Sequence, residues 1–154
     1  MLSEEHLKKL EELKPKFPTL KALTLPVLWM VQEEHGWISP EAMTYVADLL
    51  QLPVRHVYGV TTFYTMFNTS PVGKYHVQVC TNISCQLRGG EQIAEHVCSK
   101  LNVKRGHMTA DQRFTVTEVE CLGSCGTAPM MQVNDDYFEN LTPEKVDQLL
   151  KELK

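Results

Sequence analysis

Two cysteine pairs constrain this chain more than any other feature. Cys80-Thr81-Asn82-Ile83-Ser84-Cys85 is a C-x4-C motif, and Cys121-Leu122-Gly123-Ser124-Cys125 is a C-x3-C motif. Each follows a strand-like run: Tyr75-His76-Val77-Gln78-Val79 leads into the first, and Phe114-Thr115-Val116-Thr117-Glu118-Val119 into the second. If those runs lie side by side in one sheet, both pairs sit at the same sheet edge. Four thiolates then converge on one point, the geometry of a metal centre.

Four thiolates suit zinc, an iron–sulfur cluster or a single iron. Structural zinc sites use tight C-x2-C pairs, because one small ion must be gripped by adjacent turns. Both gaps here are wider, and a [2Fe–2S] rhomb has two irons, each needing its own pair. Gly89, Gly90, Gly123 and Gly126 gather around the motifs, where backbone N–H groups can approach sulfur and tune a reduction potential. The spacing favours a [2Fe–2S] cluster and leaves zinc and unligated cysteines as alternatives. No C-x-x-C occurs, which argues against a thioredoxin-type redox dithiol, c-type haem and a bacterial [4Fe–4S] site. No histidine flanks either pair, as a Rieske centre would require.

The rest of the chain describes an ordinary soluble globular protein. Its 154 residues are enough for one domain or two small lobes, and 43% are hydrophobic and 22% charged. A net charge of -4 argues against a nucleic-acid binder. Five cysteines, an odd number, argue against a secreted disulfide scaffold. Met1-Leu2-Ser3-Glu4-Glu5 lacks the basic and apolar regions of a signal peptide, and no run of eighteen apolar residues could span a membrane. A reducing cytoplasm is the expected setting.

Periodicity changes along the chain. Residues 3–14 read as a helix capped by Ser3, with Leu7, Leu10 and Leu13 as its apolar stripe and Pro15 and Pro18 ending it. A second helix is expected over 24–35, with Thr24 as cap and Leu25, Leu28, Trp29 and Val31 on its apolar face. Ser39-Pro40-Glu41 starts a third, and Pro53 opens a fourth through Val54, Val57 and Tyr58. The loop 68–73 is the lobe boundary, dividing a helical lobe over 1–70 from a second over 71–154. In the second, 75–80 and 114–119 read as strands around a helix over 89–101, which implies a parallel crossover. Met130–Val133 and Tyr137–Glu139 flank Asn134-Asp135-Asp136 as a hairpin, and Thr142-Pro143-Glu144 caps a last helix. This β-α-β-β-β-α order without C-x-x-C is a thioredoxin-like layout, so the class is α+β or α/β with an N-terminal helical bundle.

Other conspicuous residues have plainer readings. Cys98 reads as a core residue, since buried cysteine behaves as a small hydrophobe. His35 suits the negative end of a helix, and His56, His76, His96 and His107 show no ligand spacing. Tyr58, Phe63, Tyr64 and Phe67 are most simply core between helices, with a docking surface as the alternative. Gly89-Gly90 matches no nucleotide fingerprint.

Glu34-His35-Gly36-Trp37, Val57-Tyr58-Gly59-Val60 with Phe63-Tyr64, the two cysteine motifs with Glu120, and Asn134-Asp135 through Tyr137-Phe138-Glu139-Asn140-Leu141-Thr142 all match one pattern. The chain resembles the small thioredoxin-like [2Fe–2S] subunit of NADH:quinone oxidoreductase, respiratory complex I, of the E or 24-kDa type. The likeness runs from about residue 20 to the end. It implies a helical lobe, at 1–70, and a thioredoxin-like cluster lobe, at 71–154, and the roughly seventy residues beyond the cluster fold suggest a docking element. It also implies Cys80, Cys85, Cys121 and Cys125 as iron ligands, with no catalytic residue on this chain. The implied partner is a larger flavin subunit that holds FMN and binds NADH, in a complex peripheral to the inner membrane. Related subunits serve NAD-linked hydrogenases and formate dehydrogenases, and a zinc-bound adaptor is the structural alternative.

Overall fold

A computed structural model describes residues 1–153. Two compact units divide between Pro71 and Val72.

The first unit is helical. α1 (Glu4–Leu13) is capped by Ser3, whose hydroxyl accepts from the His6 N–H at 3.3 Å. α2 (Thr24–His35), α3 (Pro40–Leu50) and α4 (Val54–Phe63) follow. Ser39 caps α3 in the same way, accepting from the Ala42 N–H at 3.1 Å. Thr24 does not cap α2 as the sequence suggests. It is already helical, and its hydroxyl donates back to the Lys21 carbonyl at 2.7 Å, so no acceptor faces the exposed N–H groups. Leu10, Leu23, Val27, Leu28, Val31, Ile38, Val46, Leu50 and Val57 fill the core of this unit. Each such side chain contributes about 1.5–3 kcal/mol by leaving water.

Glu34 ties the chain start to α2. The Ser3 N–H donates to its carboxylate at 2.8 Å, and His6 Nδ1 lies 2.5 Å from the same oxygen. Hydrogen bonds from Ser3, followed by the weaker influence of His6, hold the Glu34 carboxyl at about 2. A carboxyl lowered from 4.5 stabilises the fold above its unfolded value. That contribution fades as pH falls through 4.5 toward 2. Thermal unfolding between pH 7 and pH 3 is therefore expected to show a loss of stability that is smaller in Glu34→Gln. Equal acid sensitivity in the two proteins would contradict this assignment.

The second unit carries a five-stranded sheet in the order β2-β3-β1-β4-β5, with β1 Tyr75–Cys80, β2 His107–Met108, β3 Phe114–Val119, β4 Met131–Val133 and β5 Asp136–Phe138. β1 and β3 run parallel, as the strand–helix–strand order requires, and the other pairings are antiparallel. α6 (Gly90–Leu101) is the crossover helix, and α7 (Pro143–Glu152) starts at a Thr142 cap. Val77 and Val79, two apart and so on one face of β1, pack with Ile93, Ala94 and Val97 of α6, Val116 of β3 and Val146 of α7. Two elements escape the sequence pattern. β2 is two residues long, too short for alternation to register, and α5 (Ile83–Leu87) lies inside the first cysteine motif.

Candidate metal centre

The parallel register decides where the cysteines meet. Cys80 ends β1 opposite Val119, the last residue of β3. Both chains therefore leave the sheet at the same edge, one into Cys85 and the other into Cys121 and Cys125. Beyond β1, Asn82 starts α5 with its side-chain oxygen accepting the Ile83 N–H at 2.9 Å, and the short helix returns Cys85 to the same buried cluster as Cys80. Cys80 and Cys85 are buried in a small cluster with Ala128 and Met130, against which Leu122 packs.

Burial pushes the Cys85 thiol up to about 11, and its hydrogen bond to Cys80 and the charges of Cys80 and Cys125 push in the same direction. A hydrogen bond from the Met130 backbone opposes them. A thiolate in this place needs a cation beside it. Two cysteine pairs leaving one sheet edge are an all-sulfur donor set that fits a [2Fe–2S] group. Gly90 adds a close approach: a Cβ there would lie 2.9 Å from the Cys85 carbonyl carbon and oxygen and 3.0 Å from the Cys80 oxygen.

The second loop is built differently. Cys121 and Cys125 are exposed. Gly123, at φ 79°, turns its N–H onto Cys121 Sγ at 3.3 Å, a backbone donor of the kind that tunes thiolate ligands. Among the described residues no three His, Cys, Asp or Glu side chains surround one point closely enough for a single ion. The two motifs leave the sheet at one edge, one as a buried pair and the other as an exposed pair.

The remaining singled-out residues lie apart from this edge. Cys98 is half-buried against the core of the second unit. His96 pairs with Asp147 at 2.7 Å, His76 Nε2 meets Thr117 Oγ1 at 2.9 Å, and His107 Nδ1 meets the Arg105 carbonyl at 2.9 Å. His56 reaches Thr24 Oγ1 at 3.4 Å, and His35 reaches the N-terminal amine at 3.2 Å. The core reading of the aromatic cluster is corrected for three of its four members. Phe67 is buried, but Tyr58 is 59% exposed, Phe63 75% and Tyr64 38%. α4 turns Tyr58 and Phe63 outward because Val57 and Thr61 occupy its buried face. Sequence reasoning missed Tyr137, Glu139, Ser124 and Thr127, which hydrogen-bond within or onto the second cysteine loop.

The family model of thioredoxin-like [2Fe–2S] ferredoxins matches residues 10–154. The chain belongs to this family. It is 43% identical to the E-type subunit of NADH-quinone oxidoreductase from Rickettsia bellii (strain RML369-C) over 154 residues, covering 98% of this chain and 92% of the relative. An E-type subunit of NADH-quinone oxidoreductase from Rhizobium meliloti (strain 1021), the one numbered 2, is 40% identical over 136 residues, covering 88% and 81%. These relatives belong to an oxidoreductase. A crystal structure of an NAD+-reducing [NiFe]-hydrogenase in the air-oxidized state shares the fold at a TM-score of 0.72. It does so at 20% identity, over 82% of this chain and 22% of that one. The helical first unit and the thioredoxin-like sheet of the second agree with the class expected from sequence. No helix among the described residues is long and apolar enough to cross a membrane.

Proposed function

We propose that this chain is the electron-transfer component of an NADH:quinone oxidoreductase. In this reading Cys80, Cys85, Cys121 and Cys125 hold one [2Fe–2S] cluster, and FMN and NADH reside on a partner flavin subunit. The observation that carries it is the Cys80–Val119 register, which delivers both cysteine motifs to one sheet edge. When bound, the cluster supplies a one-electron site beside a two-electron flavin. Cys80 and Cys85 grip it from the buried side, and Ala128, Met130 and Leu122 exclude water there. Cys121 and Cys125 close it from the exposed side, where a redox partner has access. No general acid, base or nucleophile is assigned to this chain.

The lobes expected at 1–70 and 71–154 divide the work in this reading, the first docking and the second holding the cluster. Tyr58, Phe63 and Tyr64 present an exposed aromatic surface suited to the flavin subunit. The assembled complex sits at the cytoplasmic side of the inner membrane. An NAD-linked hydrogenase as host rests on a fold likeness at 20% identity, against 43% for an NADH-quinone oxidoreductase relative, and a formate dehydrogenase host rests on the sequence resemblance alone.

Coexpression with a tagged flavin subunit tests the reading. The pair is expected to copurify with iron and acid-labile sulfide on this chain, and NADH is expected to reduce its cluster only when the flavin subunit is present. A colourless chain containing zinc would overturn it in favour of an adaptor. Phe63→Asp is expected to weaken the pull-down about tenfold or more while leaving the iron content unchanged, because a charge placed in an aromatic interface leaves it unpaired. Undiminished capture would remove the docking role of α4.

A further inference from the structure

Tyr137-Phe138-Glu139 has no part in holding iron in the reading above, yet its contacts give it one. Tyr137 and Glu139 stand two apart, and so project from the same side of an extended segment. Both reach the second cysteine loop. The Tyr137 hydroxyl donates to the Leu122 carbonyl at 2.9 Å. The Glu139 carboxylate accepts from Thr127 Oγ1 at 2.6 Å and from Ser124 Oγ, and the two hydroxyl oxygens are 2.7 Å apart. One residue on, the Asn140 N–H donates to the Thr127 carbonyl at 2.7 Å.

These tethers matter because Cys121 and Cys125 are exposed. Core packing fixes Cys80 and Cys85, but the second pair lacks that support, and its shape is set by what holds Leu122, Ser124 and Thr127. Ser124 directly precedes a proposed ligand, and a hydroxyl there has two possible acceptors, Glu139 or a cluster sulfur. Hydrogen bonds to sulfur raise the potential of such clusters, and so does removal of a nearby negative charge.

Taking the four cysteines as ligands, we propose that Glu139, assisted by Tyr137, is a positioning residue for the cluster. It locks the loop from Cys121 to Cys125 in its ligating shape and occupies the Ser124 and Thr127 hydroxyls so that they do not donate to the cluster. The two hydroxyl donors also hold the Glu139 carboxyl below its usual range, so the group is charged at neutral pH.

The test uses the full chain with its cluster assembled, iron release to a chelator, and a redox titration followed by EPR. Glu139→Ala is expected to release iron about tenfold faster or more, since it removes two charge-assisted hydrogen bonds. Glu139→Gln keeps an acceptor but loses the charge, and is expected to shift the midpoint potential upward while releasing iron more slowly than Glu139→Ala. A purely structural role would leave the potential where it is. Release from Glu139→Ala within about twofold of the unaltered chain, or a potential unchanged or lowered in Glu139→Gln, overturns the proposal. Should Glu139→Ala fail to fold, Tyr137→Phe and Ser124→Ala each remove one tether, and unaltered release in both overturns it equally. An unaltered chain that takes up no iron–sulfur cluster overturns the ligand reading, and this proposal with it.

Discussion

Cys80→Ala and Cys85→Ala are expected to give colourless protein, without the EPR signal of a reduced [2Fe–2S] cluster and with iron content near zero. These two cysteines form the buried pair, packed in one apolar cluster with Ala128 and Met130. If the two are ligands as proposed, removing either would leave an iron short of a protein sulfur, in a place where solvent has little room to replace it. Cys121→Ala and Cys125→Ala should also lose the cluster on purification. Because those positions are exposed, water or an added thiol can occupy the gap, so a fraction of the cluster should persist under anaerobic conditions with excess thiol. Cys98→Ala should keep full iron content, at a stability cost of about 1 kcal/mol or more for the small cavity. Iron and sulfide analysis with EPR of the reduced proteins distinguishes these outcomes. A cluster lost in Cys98→Ala but retained in Cys80→Ala would reverse the ligand assignment.

Gly90→Val is the second large effect. The contacts a Cβ would meet at Gly90, between 2.9 and 3.0 Å, are all to backbone atoms of Cys85 and Cys80, which cannot swing aside as a side-chain tip can. Either α6 must slide along the sheet or the first cysteine loop must open. Overpacking of this kind costs about 1–3 kcal/mol, and at this position it also separates two ligands. The expected result is a lower melting temperature with little or no bound iron. Gly90→Ala should fall in the same direction, with a smaller loss. Gly126→Ala is the control: it lies beside Cys125, and a Cβ there meets nothing within 4 Å. Equal iron content in Gly90→Val and Gly126→Ala would show that the close approach at Gly90 plays no part in forming the site.

Much of this site was legible in sequence because its determinants are local. The strands over 75–80 and 114–119 announce themselves by β-branched and aromatic residues, and the observed β1 and β3 have those bounds. The Ser3, Ser39 and Thr142 caps were legible for the same reason: each side chain serves a backbone N–H three residues on. Tyr58, Phe63 and Tyr64 misled because aromatic character signals burial without saying whether a core or a partner provides it. α5 was hidden, since five residues of Ile83-Ser84-Cys85-Gln86-Leu87 are too few for helical periodicity to emerge. The Glu139–Ser124 contact joins residues 15 apart across a loop, and nothing in a strand pattern indicates which hydroxyl a carboxylate will find.

The sheet order has a bearing on biosynthesis. β1, which carries Cys80, pairs with β3 and β4 and lies at the centre of the sheet, yet both partners come later in the chain. While a ribosome is still translating α6, Cys80 ends a strand with no neighbour, and Cys85 follows it in α5. Unpaired strand edges are prone to aggregate. The proposed donor set is complete only after Cys125 has been made, and the Tyr137 and Glu139 tethers only after that. In the proposed ligand reading, four-cysteine ligation of a cluster therefore has to wait until nearly the whole second unit has been made.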